Sequence, residues 1–278
     1  MPSTRIPLLA LLCLAFASLA AADLRLPAVF SDHMVLQREK PVAVWGWADA
    51  DEEVSVEFAG QKKTAQADTT GRWSLRLDPL NASTESRKLI ATGKDGRKAE
   101  ISDVLVGDVW LGSGQSNMAM TVNRAKDFEQ EKTAATFPLI RHFKEESAGA
   151  ATAQTQSKGK WLACTPDNVS GFSATLYFFG REIQREIGVP IGLINTSVGG
   201  TPIEAWIAPE VQETKPALKA ALEAQSAATP KIDPEKAKAD YAAELKKFKA
   251  AKAKAVAEGT KAPRPPRNAA EVSERKAS

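Results

Sequence analysis

Along residues 24–103 apolar and polar positions alternate in short runs: "VAVWGWA", "EVSVEFAG", "KKTAQAD", "GRWSLRL" and "KLIATG". Turn-forming residues separate the runs, namely Asp49-Ala50-Asp51, Gly60-Gln61, Thr70-Gly71 and Asp95-Gly96. Strands of period two with such punctuation predict a β-sandwich over residues 23–103. From Val104 the pattern changes. "VLVGDVWLG" is a continuous apolar run closed by glycine, the form of a strand buried on both faces, and "PLIRHFK" and "PIGLINTS" predict two more strands. Between these two, "SATLYFFGREIQREIG" predicts a helix starting at Ser173 and stopping at Gly188, with Leu176, Phe179, Ile183 and Ile187 facing the sheet. Alternating strands and helices over residues 104–208 predict a mostly parallel sheet covered on both faces, hence an α/β fold behind the sandwich.

Beyond Ala208 the composition shifts to Ala, Lys and Glu, broken by Pro230 and Pro234. Residues 209–278 are expected to form two exposed helices in a hairpin, followed by a flexible tail. The second helix would span Pro234 to Glu258, with a sparse apolar stripe at Tyr241, Leu245 and Phe248. At the other end, Arg5 followed by "IPLLALLCLAFASLA" and Ala20-Ala21-Ala22 has the charge, apolar core and small-residue exit of a secretory signal over residues 1–22. The apolar run is short for a membrane anchor, so a secreted or periplasmic protein without stable membrane insertion is expected. Leu12 stands before Cys13 where lipid attachment favours a small residue.

The formal charge of +3 is unevenly spread. Residues 210–278 hold 12 lysines, 3 arginines and 10 acids, which leaves the remainder, once Arg5 is removed, net negative by three. The body therefore lacks the basic footprint of a nucleic-acid binder. After signal removal Cys164 is the remaining cysteine, in the loop-like "WLACTPDNVSGFS", where a half-buried structural role is expected. Two histidines and no CxxC or HxxxH spacing leave no metal site, and no cofactor is implied. Trp45, Trp47 and Trp73 offer either a sugar-stacking platform or core packing; the shared face of Trp45 and Trp47 favours the core.

The chemistry concentrates in "VLVGDVWLGSGQSNM", Val104 to Met118. Ser116 would stand where a buried strand hands over to a helix, at the carboxyl edge of the sheet where α/β folds place their sites. Free N–H groups at the helix start favour a developing negative charge there. Ser116 is thus a candidate nucleophile; the competing role is that Ser116 or Asn117 caps the helix. Ser197 is a rival serine, but no such elbow follows it.

"GSGQSNM" resembles the nucleophile block of the sialate O-acetylesterase family, within the SGNH-type esterases. "GLINTSVGGTPIEAW", Gly192 to Trp206, is similar to the family's next block, and "LPAVFSDHMVLQREKPVAVWGWA", Leu26 to Ala48, to its opening segment. The resemblance covers residues 24–208. It implies an SGNH-like three-layer α/β/α domain over 104–208, incomplete, with residues 209–278 as a helical insertion. It also implies a carbohydrate O-acetylesterase acting on an acetylated sugar. Ser116 would be the nucleophile and the N–H groups of Ser116 and of Gly199 or Gly200 the oxyanion donors. Gln115, Asn117, Thr201 and Glu204 would line the substrate site.

The base is the departure. The family's Gln-Gly-Glu and Asp-x-x-His blocks are missing. His33 belongs to the opening of the sandwich, His142 to a predicted strand, and neither Asp103 nor Asp108 stands three residues before a histidine. A truncated chain with little or no turnover is the expectation. The alternative is a non-catalytic carbohydrate-binding or cell-surface module.

Overall fold

The computed structural model describes residues 24–147, 153–228 and 234–258, together with 260, 263, 265 and 266. The expected signal segment and nearly all of the expected tail lie outside these.

The first unit consists of β1 (Val35–Gln37), β2 (Val42–Trp47), β3 (Glu53–Phe58), β4 (Gln61–Gln66), β5 (Arg72–Leu77) and β6 (Ser83–Thr92). Strand β2 pairs antiparallel with β5, while β4, β3 and β6 form part of a second sheet. The two sheets meet through Val42 and Val44, Val54, Val56 and Phe58, Trp73, Leu75 and Leu77, and Leu89 and Ala91. In β5 the burial alternates strictly, with Trp73, Leu75 and Leu77 inward and Arg72, Ser74 and Arg76 exposed. The five predicted strands are all present; the short β1, inside an apolar but irregular segment, is an addition.

β7 (Lys98–Gly112) is fifteen residues long and runs through the expected boundary at 103/104. Its first part pairs antiparallel with β6 and then parallel with β1, while residues 108–112 pair parallel with β10 (Ile191–Asn195). Asp103, with φ +55°, marks the irregularity where the strand passes from one unit to the other. After β7 come α1 (Ser116–Ala119), α2 (Phe128–Ala134), β8 (Phe137–Lys144), β9 (Trp161–Cys164) and α3 (Ala174–Ile187), which precedes β10. The large sheet has the order β4-β3-β6-β7-β10-β8-β9, parallel from β7 to β8 and antiparallel at the β9 edge. The fold is thus the expected mixed α/β class.

Helix α3 has the predicted ends. Ser173 Oγ accepts the N–H of Leu176, and Gly188 closes the helix at φ +70°, a left-handed conformation that glycine adopts without a Cβ penalty. Its buried face differs from prediction. Ala174, Leu176, Tyr177 and Gly180 are buried against β8 and β10, whereas Phe179 and Ile187 are exposed. Gly180 decides this: a Cβ there would lie 2.8 Å from Leu193 of β10, so helix and strand approach at the glycine and Tyr177 rotates inward. Phe179 instead meets Trp110 of β7 edge-on, ring centroids 5.0 Å apart.

The opposite face of the sheet is covered as well. Among the described residues Phe143, Trp161 and Ile194 join the sandwich core there, and Trp161 Nε1 donates to the Val29 carbonyl at 2.8 Å. The covering layer is the N-terminal unit. Cys164 ends strand β9 rather than lying in a loop and is fully buried, not half-buried; burial pushes its thiol pKa up to about 12. Alkylation of native protein at pH 8 should leave Cys164 unmodified, with reaction in denaturant, as intact mass would read.

The C-terminal region forms α4 (Pro209–Thr214), α5 (Pro216–Ala228) and α6 (Pro234–Ala257). The first expected helix is therefore split at Lys215, whose helical conformation the following Pro216 disfavours. In α6, Tyr241, Leu245 and Phe248 are half-buried between exposed neighbours, as their spacing predicts. Residues 229–233, where a hairpin would turn, lie outside the described ones.

Candidate functional site

Strand β7 delivers the chain to the carboxyl edge of the sheet at Gly112. A Cβ there would fall 2.7 Å from the methyl carbons of Leu176, so glycine lets α3 sit directly against the strand end. Ser113, Gly114 (φ +132°) and Gln115 make the turn, and Ser116 opens α1. The elbow is therefore present, and its helix is a single turn. Gln115, not Ser116 or Asn117, is the capping residue.

The loop is braced on both sides. Thr196 N–H donates to Gly112 O at 3.0 Å, and Val198 N–H to Gly114 O at 2.9 Å. On the other side Ser173 Oγ donates to Met118 O at 2.6 Å, Thr175 Oγ1 to Asn117 O at 3.2 Å, and Ala174 N–H to Met120 O at 2.8 Å. The N-terminus of α3 and the loop after β10 thus hold Ser116 in place.

Ser116 is exposed, and its Oγ donates to Gln115 Oε1 at 2.9 Å. The same oxygen accepts the Ser116 N–H at 3.0 Å. Gln115 therefore occupies both the candidate nucleophile and one candidate oxyanion donor, and a substrate would have to displace it. A Cβ on Gly199 would lie 3.9 Å from Cα and Cβ of Ser116, so the diglycine loop borders the serine. Gly200 has φ +83° and turns the chain away. Thr201 Oγ1 donates to Val198 O at 2.8 Å and accepts Trp206 Nε1 at 2.9 Å. Glu204 is half-buried, and its carbonyl accepts the buried Gln212 Nε2 at 2.9 Å. The rival Ser197 donates to the buried Asn195 Oδ1 at 2.6 Å, which keeps its hydroxyl in the loop.

No histidine among the described residues reaches Ser116. His142 is buried on β8, stacked on Phe172 with ring centroids 4.5 Å apart, and its Nε2 accepts the Ser173 N–H at 3.2 Å. Burial, with the charge of Lys144 behind it, holds this imidazole at a pKa of about 3, so it is neutral and structural. His33 Nδ1 lies 2.7 Å from Asp103 Oδ2, which also takes the buried Arg141 guanidinium. Burial pushes the Asp103 carboxyl up, but hydrogen bonds from Arg141, His33 and Ser86 outweigh it and keep the pKa at about 2. Asp103 stands nine residues before Gly112 on β7, so this cluster fastens the passage between the two units. Among the described residues no three His, Cys, Asp or Glu side chains gather as metal ligands.

Comparison with known proteins fits this arrangement. A family model described as carbohydrate esterase, sialic acid-specific acetylesterase, matches residues 106–253. The chain belongs to this family. The sialate O-acetylesterase of Rattus norvegicus is 31% identical over 205 residues, covering 67% of this chain and 38% of that protein. That of Homo sapiens is 31% identical over 208 residues, covering 67% and 39%. The chain spans about two-fifths of the length of these curated relatives. The crystal structure of a carbohydrate acetylesterase from Xanthomonas citri superimposes with a TM-score of 0.65 at 38% identity, over 70% of this chain and 45% of that one.

Proposed function

We propose that this chain is part of a carbohydrate O-acetylesterase of the sialate O-acetylesterase type, with Ser116 as nucleophile. One observation carries the reading: an exposed serine hydroxyl at a strand-to-helix elbow on the carboxyl edge of a parallel sheet, with the Gly199 backbone against it. Ser116 Oγ attacks the acetyl carbonyl, the sugar hydroxyl leaves, and water releases acetate from the acyl-serine. The N–H groups of Ser116 and of Gly199 or Gly200 stabilise the tetrahedral oxyanion once Gln115 has swung aside. Gln115, Asn117, Thr201 and Glu204 border the sugar. An acetylated carbohydrate is the substrate, and the protein is exported through the signal over residues 1–22. Among the described residues no helix is long and apolar enough to cross a membrane.

With Gln115 as the hydrogen-bond acceptor of Ser116, these 278 residues supply oxyanion donors but no imidazole to the serine. Turnover by them alone is expected to be slow, on the order of 10³-fold over water. Acetate release from p-nitrophenyl acetate and from an O-acetylated sugar, with Ser116→Ala as control, checks this. A small Ser116-dependent rate is expected; wild type and variant with equal rates would remove the serine from the mechanism. The same missing imidazole favours a second reading, a non-catalytic carbohydrate-binding module. Oligosaccharide binding unaffected by Ser116→Ala, without any acetate release, would establish it.

A further inference from the structure

Of the three tryptophans in the sandwich strands, Trp47 and Trp73 are buried, but Trp45 is half-buried. Its ring packs edge-on against Phe30, centroids 4.7 Å apart, and forms part of the wall of an open cleft of about 500 Å³. The cleft lies between the sandwich and the carboxyl ends of β8 and β10. Its apolar lining includes Val29 and Ile194, and its polar lining includes Glu145, Gln156, Ser157 and Thr196. Ser157 Oγ is shielded from solvent and has no hydrogen-bond partner. A buried hydroxyl without a partner costs about 1–3 kcal/mol, so a ligand hydroxyl there would be favoured.

An aromatic wall, apolar floor and several neutral hydroxyl and amide groups match a pyranose, which has an apolar C–H face and a hydroxyl edge. The cleft is also placed to serve the ester site. Thr196 lines it and donates to Gly112 O, and three residues later Gly199 borders Ser116. Three residues of chain span at most about 11 Å. A glycan with one ring's acetyl group at Ser116 could therefore lay its neighbouring rings in the cleft.

Charge narrows the class. Among the described residues lining the cleft Glu145 is the charged one, and its Oε1 already accepts the Ser147 N–H at 2.7 Å and the Lys158 N–H at 3.2 Å. Among the described residues no cation lines the cleft to receive a sugar carboxylate, and Glu145 repels one. We propose that this cleft is a glycan subsite for uncharged pyranose rings, so that the substrate is an acetylated neutral polysaccharide and not a sialoside seated there. The proposal rests on the esterase reading for its orientation toward Ser116, but the cleft is tested without turnover.

The test is isothermal titration of the whole chain carrying Ser116→Ala with xylotetraose, cellotetraose and 3′-sialyllactose. Saturable binding of at least one neutral tetrasaccharide is expected, with sialyllactose at least tenfold weaker. Adding Trp45→Ala should weaken the neutral ligand tenfold or more. Gln156→Trp, at an exposed position and therefore compatible with folding, should do the same by filling the cleft. No binding by either neutral tetrasaccharide, undiminished affinity in Gln156→Trp, or equal binding of sialyllactose would overturn the subsite. The p-nitrophenyl acetate measurement engages no glycan, so its outcome judges Ser116 separately.

Discussion

Acidification from pH 7 to pH 4.5 should remove about 2.5 kcal/mol of folding stability through His142 alone. The unfolded imidazole takes up a proton near pH 6.5, whereas the folded one, walled in by Phe172 and held as acceptor for Ser173, does so at about pH 3. Between those values the unfolded chain binds more protons, so stability is complete above pH 6.5 and falls as pH drops toward 3. The slope is about 1.4 kcal/mol per pH unit, large against a total of roughly 5–15 kcal/mol for a typical domain. His142→Gln keeps an acceptor for the Ser173 N–H but does not titrate. Urea unfolding at pH 7.0, 5.5 and 4.5 should show a steep decline for wild type and a shallow one for the variant. Parallel declines would mean that His142 is not the buried neutral group described. Asp103 acts in a lower window: its stabilisation is present above pH 4 and is lost toward its folded pKa of about 2.

The second large effect is expected at Gly107. This residue lies where β7 leaves β1 for β10, and a Cβ on it would fall 1.9 Å from the carbonyl oxygen of Pro190. That oxygen is fixed by the Asp108 N–H at 2.9 Å, so backbone on both sides would have to separate. Gly107→Ala should cost about 3 kcal/mol or more, which lowers Tm by roughly 6–12 °C for a chain of this size. Gly171→Ala is the matched control, because a Cβ there meets nothing within 4 Å. Thermal unfolding of both variants separates a local clash from a general effect of losing glycine. Equal Tm values would mean that the junction is looser than drawn.

Local signals were legible wherever the chemistry is local. Ser173 and Gly188 end α3 because a hydroxyl and a left-handed glycine satisfy groups within a few residues. The sandwich strands follow a two-residue alternation that one buried face imposes. The elbow at Ser116 follows from an apolar run stopped by Gly112 and Gly114. What escaped depends on partners distant in sequence. The buried stripe of α3 turns on Gly180 meeting Leu193, and an apolar count along the helix overlooks a glycine. The layer over Phe143 and Trp161 comes from a segment more than a hundred residues upstream, through the Val29 carbonyl. Trp45 differs from Trp47 not by its place in the alternation but by what stands opposite it. The Gln115 contact to Ser116 could have been anticipated, since a glutamine ahead of a helix start can turn back onto the first free N–H group.

Strand β7 is one hydrogen-bonded backbone shared by the sandwich and the α/β layer. A protease that cleaves between tethered modules finds ladder there instead of slack chain, and heat should melt both units in a single calorimetric peak. Tension applied at the amino-terminal unit would likewise pass along this one rod to the serine-bearing turn at its far end.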